Sequence, residues 1–227
     1  MSENADFWAM LSEDERADFV KRCRRRTWKR GEVLIREADT SDWVLLLEAG
    51  RVKASSHTAS GGEVVLAVRG PGALLGELSA VSREPRSATV QALEPVTGLV
   101  LPLADFEVFL KEHGGVTFQL MRLLAARLRD ADRKRIEFGA HDTTGRVAAR
   151  LLELADRFGK PAGDAAHPSA VMIALPLSQD ELASWISASR EAVSKSLGAL
   201  RAEGLIRTSR LRVIVLDPDA LRTHAAS

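Results

Sequence analysis

A short segment of the chain, Gly76–Ala88, combines the side chains that a pocket for a small anion requires. It contains an acid, Glu77, and an arginine and a serine, Arg86 and Ser87, nine and ten positions later. Arginine and serine donate hydrogen bonds to phosphate oxygens, and a carboxylate accepts a hydrogen bond from a sugar hydroxyl. The segment therefore predicts a site for a ligand that carries both a phosphate and a sugar.

A second group of polar residues lies near the end of the chain, on two predicted helices separated by a tight break at Ile186–Ala188. Ser178 and Glu181 form a capping box at the start of the first helix. Ser189 caps the second helix, and Gly204 closes it. Helix, tight turn and helix form the plan of the helix-turn-helix, a motif that binds DNA.

The second of these helices has an apolar side and a polar side. At about 100° per residue, Val193, Leu197 and Leu200 point to one side, and Glu191 and Lys195 point to the other. Arginine and lysine donate to guanine in the major groove, and glutamate accepts from cytosine. We therefore expect the polar residues at these helices to contact DNA, namely Ser178, Gln179, Ser189, Arg190, Glu191, Ser194 and Lys195.

Two short apolar runs around a basic tip follow within Leu205–Leu216, and they predict a β-hairpin wing. Thr208, Ser209 and Arg210 at the tip are expected to contact phosphates, which positions a protein on DNA without reading its sequence. For the second helix, the alternative is an amphipathic surface helix with ordinary charges.

The elements that must position these residues change type along the chain. Phe7–Cys23 has the pattern of an amphipathic helix, with Ser12 and Glu15 in a capping box. Ala59–Gly62 has the composition of a hairpin turn. Short apolar runs predict strands at Val33–Ile35, Trp43–Leu47, Val64–Val68, Ala88–Ala92 and Val96–Leu101. Many short strands at close spacing favour a sandwich or jelly roll.

A long helix is predicted over Val116–Phe138, which contains neither proline nor glycine. Leu120, Leu124, Leu128 and Ala131 recur on one of its faces. This stripe packs either on the strands of its own chain or against the same helix of a second copy. The second interpretation is favoured, because the surrounding charges indicate that much of the helix surface is wet.

A hinge is predicted at residues 139–141, where Gly139 ends the long helix and Asp142 caps the next one. That next helix stops at Gly159. The segment Lys160–Ser169 is rich in proline, glycine and alanine, and is predicted to be a loop.

The overall composition excludes several classes of protein. The chain has 227 residues, 45% apolar and 28% charged, with a net charge of +1, which is compatible with two modest domains that each bury a core. No run of about 18 apolar residues is present to cross a membrane. No signal-peptide pattern is present either, so a cytoplasmic location is expected. The single cysteine, Cys23, excludes an internal disulfide and a cluster held by several thiolates.

Catalytic and metal sites are not predicted, so an enzyme is not expected. The five histidines are scattered without metal-ligand spacing, and neither a nucleophile elbow nor a phosphate-binding glycine-lysine motif is present. The basic run Lys21–Arg36 is interpreted as a solvated face. A contact of its first part, Lys21–Arg30, with DNA or RNA polymerase is the weaker alternative.

Together these motifs resemble those of the cyclic-AMP receptor protein and fumarate-nitrate regulator (Crp/Fnr) family of bacterial transcription factors. The resemblance rests on three ordered segments, Gly76–Leu78 with Arg86–Ala88, then Asp142–Ala148, then Ser189–Lys195. It implies an α+β fold: an N-terminal jelly-roll β domain of the cyclic-nucleotide-binding type (1–114), a long dimerisation helix (115–138), the hinge (139–141) and a C-terminal winged helix-turn-helix domain (142–227).

The resemblance also implies partners and an effector. A homodimer would bind a pseudo-palindromic operator in double-stranded DNA, and RNA polymerase is an expected partner. The effector would be cAMP or another cyclic nucleotide, without a cofactor. The residues implied to bind it are Gly76, Glu77, Leu78, Arg86, Ser87, Ala131 and Asp132.

In the implied pocket, Glu77 would bind the ribose 2′-hydroxyl, and Arg86 and Ser87 the cyclic phosphate. Gly76 and Leu78 would contribute backbone groups. In the cyclic-AMP receptor, a threonine and a serine on the long helix reach the adenine, and their positions fall on Ala131 and Asp132. An alanine side chain has no hydrogen bond to offer a base. The phosphate and sugar half of the site therefore matches better than the base-reading half, and a different nucleotide or a vestigial pocket stays open.

Two departures concern the DNA-reading segment. Lys195 stands where the best-known family member has arginine, which replaces a bidentate guanine contact by a point charge. Ser187 stands where that member has a glycine in the turn. An alternative from another functional class is a nucleotide-binding or interaction module whose helix-turn-helix contacts proteins.

Overall fold

The computed structural model describes residues 6–57, 62–175, 178–209 and 211–225. The chain divides into two compact units between Arg129 and Asp130, within one long helix. The first unit contains the predicted anion site, and the second contains the predicted helix-turn-helix. Across the described ranges, no helix is long and apolar enough to cross a membrane.

The first unit is a β-sandwich with helices packed on it. Its helices are α1 (Phe7–Met10), α2 (Glu13–Lys21), α3 (Glu77–Ser82), α4 (Leu103–Glu112) and the first part of α5 (Gly114–Ala140). Its strands are β1 (Arg24–Trp28), β2 (Val33–Ile35), β3 (Trp43–Ala49), β4 (Val52–His57), β5 (Glu63–Arg69), β6 (Leu74–Leu75), β7 (Thr89–Ala92) and β8 (Val96–Pro102). They pair as two antiparallel four-stranded sheets with the orders β1-β8-β3-β6 and β2-β7-β4-β5.

Strand β3 connects the two apolar layers of this unit. Its Leu45 and Leu47 pack in the core shared by residues of both sheets. Its Val44 and Leu46 pack in a second core, with aromatic residues of the helices such as Phe19, Phe106 and Phe109. Successive side chains of a strand point to opposite faces, so a strand buried on both faces must be apolar at every position. This explains the continuous apolar run that predicts the strand.

Two predictions for the N-terminal part need correction. Phe7–Cys23 is not one helix, because α1 ends at Met10 and Ser12 starts α2 with extended backbone (φ −66°, ψ 168°). The capping box is confirmed, since Glu15 N donates to Ser12 Oγ (3.3 Å) and Ser12 N donates to Glu15 Oε2 (2.8 Å). An N-cap residue adopts this extended geometry, which breaks a helix that would otherwise continue.

The second correction concerns the set of strands, which is larger than predicted because polar strands give a weak apolar signal and a two-residue strand gives too short a pattern. Arg24–Trp28, part of the basic run, forms the edge strand β1 with its first four residues exposed. Strand β4 and the two-residue strand β6 are also absent from the prediction. The other predicted strands are confirmed within one or two residues. Residues 59–61 of the predicted Ala59–Gly62 turn lie outside the described residues, between the paired strands β4 and β5.

The long helix α5 buries only part of the predicted stripe. Leu120 and Leu123 are buried against the core of the first unit, and Leu124 packs there partly. Leu128, in contrast, is 64% exposed. One part of the predicted stripe therefore packs on its own chain, and the exposed part is the one that a second copy would cover. The helix also continues through Gly139 to Ala140, and the break falls at His141 instead.

The second unit packs helices on a small sheet. Its elements are α6 (Thr143–Phe158), β9 (Gly159–Pro161), β10 (Val171–Ile173), α7 (Gln179–Ile186), α8 (Arg190–Ala202), β11 (Ile206–Ser209), β12 (Arg212–Val215) and α9 (Pro218–Ala225). The sheet is antiparallel in the order β11-β12-β10-β9. Asp142 caps α6 as expected, with Gly145 N donating to its Oδ1 at 2.7 Å. The predicted loop Lys160–Ser169 begins as strand instead, because β9 extends to Pro161.

Candidate functional site

The candidate ligand site is built on a sharp turn at Gly76, where β6 ends and α3 begins. Gly76 has a left-handed backbone (φ +81°), which costs other residues free energy. A Cβ at this position would also collide with Nη1 of Arg86. Glycine is therefore required both by the turn and by the close approach of the arginine.

Arg86 is almost completely buried, at 3% exposure. Its Nε donates to Ser41 Oγ (2.5 Å), its Nη1 to the carbonyl of Gly76 (3.0 Å) and its Nη2 to the carbonyl of Trp43 (2.5 Å). The guanidinium also lies over the Trp43 ring, 4.9 Å from its centroid. Burial lowers the pKa of Arg86 below its ordinary value, and the charges of Glu77 and Asp42 act in the opposite direction. These contacts hold a buried positive charge with neutral acceptors.

Glu77, at 3% exposure, is the first residue of α3 and forms an ion pair with Arg127 of α5. Arg127 also donates from Nη2 to the carbonyl of Leu74 at 3.0 Å. Arg127, Ser41 and Trp43 are not among the predicted site residues. They lie 43 to 53 positions from the residues to which they bond, so no local motif could have found them.

The ion pair decides the charge of the site. Arg127 neutralises Glu77, and among the described residues no carboxylate lies within ion-pair distance of Arg86. Glu77, Arg86 and Arg127 therefore have one positive charge in excess, which the charge of Asp42 partly offsets. A buried charge that no ion pair neutralises is costly, and an anionic ligand would lower that cost.

The other predicted ligand residues are more exposed. Leu78 is 48% exposed and Ser87 is also exposed, beside the buried Glu77 and Arg86 in sequence. Ala131 and Asp132 are exposed on the part of α5 that belongs to the second unit. The structure thus brings Gly76, Glu77 and Arg86 into one cluster in the first unit.

The second candidate surface is formed by α7, α8 and the turn between them. Ser178 and Glu181 form the predicted capping box, with Glu181 N donating to Ser178 Oγ (3.1 Å) and Ser178 N to Glu181 Oε2 (2.9 Å). Ser187 has a left-handed backbone (φ +47°) and ends α7. The turn therefore keeps a conformation that favours glycine although a serine occupies it. Gln179 is the first residue of α7 and Ile186 its last, one residue beyond the predicted end.

Helix α8 buries one face and exposes the other as predicted. Val193 and Leu200 are fully buried and Leu197 is 5% exposed, whereas Arg190, Glu191, Ser194 and Lys195 are exposed. Ser189 caps the helix by accepting from Ala192 N at 3.1 Å. The guanidinium of Arg190 lies 3.5 Å from the Asp180 carboxylate, and both side chains are about two-thirds exposed, so the pair is weak.

The wing follows α8 after a glycine turn. Gly204 (φ +74°) closes the helix as predicted, with Gly204 N donating to Arg201 O (3.0 Å). Strands β11 and β12 pair antiparallel from Ile206 with Val215 to Ser209 with Arg212. Thr208 lies on β11 and accepts from Arg201 Nη1 (3.2 Å). Arg210 lies outside the described residues.

A partly buried hydrogen bond connects α8 to the start of α6. Ser196 is 4% exposed, and its Oγ lies 3.1 Å from Oγ1 of Thr144. A satisfied hydroxyl pair is tolerated in an apolar contact and favours one register of the two helices.

One cluster of ionisable residues is not expected from the spacing of the histidines. Asp18, Glu112 and His113 offer ligand atoms that all lie within 4.8 Å of one another. Arg22 bonds both carboxylates, at 2.9 Å to Asp18 and 2.5 Å to Glu112. A guanidinium thus already bridges the two carboxylates, which is typical of a structural ion-pair network.

Comparison with known proteins covers both units. Residues 25–113 match the cyclic nucleotide-binding domain family, and residues 145–224 match the Crp-like helix-turn-helix domain family. The chain is 29% identical over 209 residues to the CRP-like cAMP-activated global transcriptional regulator of Mycobacterium tuberculosis, covering 92% of this chain and 91% of that protein.

It is 32% identical over 183 residues to the cyclic AMP receptor protein of Thermus thermophilus, covering 81% of this chain and 79% of that protein. The solved structure of FixK2 from Bradyrhizobium japonicum shares the fold, with a TM-score of 0.76 at 20% identity over 90% of this chain and 98% of that one. The matched domains, their order and the identity over most of the chain show that this protein belongs to the Crp/Fnr family of transcription regulators, which bind DNA and are not enzymes.

Proposed function

We propose that this protein is a homodimeric, sequence-specific DNA-binding regulator gated by a cyclic nucleotide, with cAMP as the first candidate effector. The observation that supports gating most directly is the buried guanidinium of Arg86, which contacts only neutral acceptors among the described residues. An anion is the partner that such a group lacks.

The charges near Arg86 favour a weakly charged anion. Glu77, Arg86 and Arg127 leave one excess positive charge, which the charge of Asp42 partly offsets. The phosphodiester of a cyclic nucleotide carries one negative charge, whereas a phosphomonoester carries nearly two at neutral pH. Both named relatives are cAMP-linked by their descriptions, which supports the same effector class here.

The ligand proposal is tested by titration calorimetry with cAMP and cGMP on the wild type and on Arg86→Ala. We expect the wild type to bind and Arg86→Ala to lose about 100-fold or more in affinity, because a charge-assisted contact in a buried site is removed. Arg83→Ala is the matched control, since Arg83 belongs to the same segment but has a side chain that is 76% exposed and pairs with Glu107. Equal affinities for wild type and Arg86→Ala would contradict the proposal.

For DNA reading, the proposal assigns base contacts to Arg190, Glu191 and Lys195, which lie on the exposed face of α8. Ser178, Gln179, Ser189, Ser194, Thr208, Ser209 and Arg210 are proposed to contact DNA as well. In a dimer, two such helices would enter successive major grooves roughly 34 Å apart. RNA polymerase is proposed as a further partner.

Binding to selected palindromic fragments tests this assignment. Arg190→Ala is expected to cost about 1–3 kcal/mol at the preferred site, and affinity should fall steeply with salt. Arg222→Ala on α9 is the matched control, because this arginine already pairs with Asp219. A protein without preference for any fragment, or with a shallow salt dependence and no effect of Arg190→Ala, would be an interaction module instead.

A regulator with a vestigial pocket, or with a pocket for another ligand, is the second candidate. It is favoured by Ala131, which offers no side-chain hydrogen bond at a position where the cyclic-AMP receptor reads adenine. This candidate predicts operator binding that neither cAMP nor cGMP changes, and no binding heat with either nucleotide.

A further inference from the structure

The segment Ala38–Trp43, which ends at the first residue of β3, bonds both the backbone and the side chain of Arg86. Its backbone pairs with that of the arginine, because Ala38 N donates to Arg86 O (2.8 Å) and Arg86 N donates to Asp39 O (2.9 Å). Ser41 Oγ and the Trp43 carbonyl then accept from the guanidinium, each at 2.5 Å. The same short segment therefore fixes both the main chain and the side chain of the arginine.

The guanidinium of Arg86 lies over the indole of Trp43. The ring packs partly against the core between the two sheets, and the Arg86 guanidinium carbon lies 4.9 Å from its centroid. A cation over an aromatic face gains electrostatic attraction, and the gain grows where water is excluded. Because the core holds one side of the ring, the ring provides a rigid platform for the charged group.

Two N–H groups of Arg86 are not used by the hydrogen bonds to Ser41, Gly76 and Trp43. A guanidinium has five N–H groups, and three of them are used by Ser41, Gly76 and Trp43. One N–H is left on each terminal nitrogen, which is the number that a bidentate contact with a phosphate uses.

We propose that Ser41 and Trp43 are positioning residues for Arg86, which hold its guanidinium so that the two remaining N–H groups face an anionic ligand. This inference rests on the proposed function of the pocket as a cyclic-nucleotide site. A long arginine side chain loses considerable rotational entropy when it is ordered, and here the protein orders it in advance. Without either positioning group, the entropy loss of ordering Arg86 would occur on ligand binding and would weaken the affinity.

The first test measures cAMP and cGMP affinities of Ser41→Ala, Trp43→Leu and Trp43→Phe in the full-length protein. We expect Ser41→Ala and Trp43→Leu to bind about tenfold more weakly, which corresponds to one hydrogen bond to a charged group or one shielded cation–π contact. Trp43→Phe should restore part of the affinity, because it keeps an aromatic face. Trp8→Leu is the matched control, since Trp8 also carries an arginine over its ring (Arg16, 5.4 Å) elsewhere in this unit.

The second test needs no nucleotide. Phenylglyoxal modifies accessible arginines, and mass spectrometry of the digested protein gives the rate at Arg86 relative to the exposed Arg83. We expect slow modification of Arg86 in the wild type and faster modification in Ser41→Ala and Trp43→Leu, but not in Trp8→Leu.

The two tests separate the two proposals. If no cyclic nucleotide binds, but the variants expose Arg86 to modification, positioning stands and the nucleotide function is wrong. If the wild type binds a nucleotide and Ser41→Ala and Trp43→Leu keep both its affinity and its slow modification rate, the positioning role is wrong. Equal loss in Trp43→Leu and Trp43→Phe would also count against the aromatic platform.

Discussion

At the scale of single residues, the site depends on groups that tolerate little change. Gly76 provides a left-handed turn and leaves room for the Arg86 guanidinium. Arg86 and Glu77 are buried charges, each held by residues from distant parts of the chain. Their identities follow from the sequence motif, but their partners do not.

Gly76→Ala is expected to destabilise the first unit by more than the strain of a left-handed alanine, which is about 1 kcal/mol. The added Cβ would displace Arg86, so cyclic-nucleotide affinity should fall as well. Gly31→Ala is the control that isolates the backbone strain, because Gly31 also has a positive φ (+84°), but a Cβ added there would meet no atom within 4 Å. Urea unfolding measures the loss in free energy of unfolding for each variant. Equal losses in Gly76→Ala and Gly31→Ala would contradict an energetic cost of the collision with Arg86.

At the scale of elements, helices are joined by a few specific polar contacts. Asp18 of α2 bonds His113 at the end of α4 (3.0 Å), and Arg22 connects Asp18 with Glu112. The hydrogen bond from His113 lowers the pKa of Asp18 most, and the hydrogen bonds from Arg22 lower it further. Burial acts in the opposite direction, but the pKa stays below its ordinary value of 3.8.

A carboxyl whose pKa is lowered by folding stabilises the fold above its unfolded pKa, and this stabilisation disappears as the pH falls through the folded pKa. Asp18→Asn should therefore be less stable than the wild type near neutral pH. The difference should begin to shrink below about pH 4 and should disappear only as the pH falls through the lowered pKa of Asp18. Urea midpoints between acidic and neutral pH measure it, with the exposed Asp39→Asn as control. A difference that stays constant across this range would contradict the assignment to the Asp18 charge.

The turn between α7 and α8 offers a substitution that is expected to increase stability. Ser187 adopts φ +47°, which a glycine adopts without strain, so Ser187→Gly should stabilise the second unit by up to ~1 kcal/mol. Ala188→Gly lies in the same turn without a positive φ and should destabilise instead. Thermal unfolding of the two variants compares them, and a loss of stability in Ser187→Gly would show that the serine makes a compensating contact.

At the scale of the whole molecule, the exposed apolar residues of α5 argue for a second copy of the chain. Phe118, Met121 and Leu128 are 59%, 54% and 64% exposed, although large apolar side chains on one helix are normally covered. Their spacing places them along one side of the helix, as in a paired seam. Homodimerisation therefore remains our proposal for how the two DNA-reading helices are paired.

Leu128→Glu is expected to convert the proposed dimer into a monomer and to abolish preference for palindromic operators. The glutamate would place two like charges near each other in the seam, in a region that must lose water. Size-exclusion chromatography with light scattering measures the mass. Leu66→Glu changes an equally apolar residue, 45% exposed on β5, and should leave the mass unchanged. A dimeric Leu128→Glu protein would place the interface elsewhere.

Interactions between near neighbours account for the features of this protein that can be predicted from its amino-acid sequence. Capping boxes at Ser12 and Ser178, the inward face of α8 and the apolar run of β3 follow from hydrogen bonds and side-chain directions within a few residues. The same local information reveals the family, because its motifs are short and ordered.

The meeting of distant residues, in contrast, becomes visible only in the folded chain. Arg127 neutralises Glu77, Ser41 and Trp43 hold Arg86, and the two sides of α5 divide between buried and exposed. These pairings depend on strand order and on the direction in which α5 packs, and each involves groups separated by dozens of residues. No local pattern encodes such a contact, because its free energy arises only when the fold brings both groups out of water.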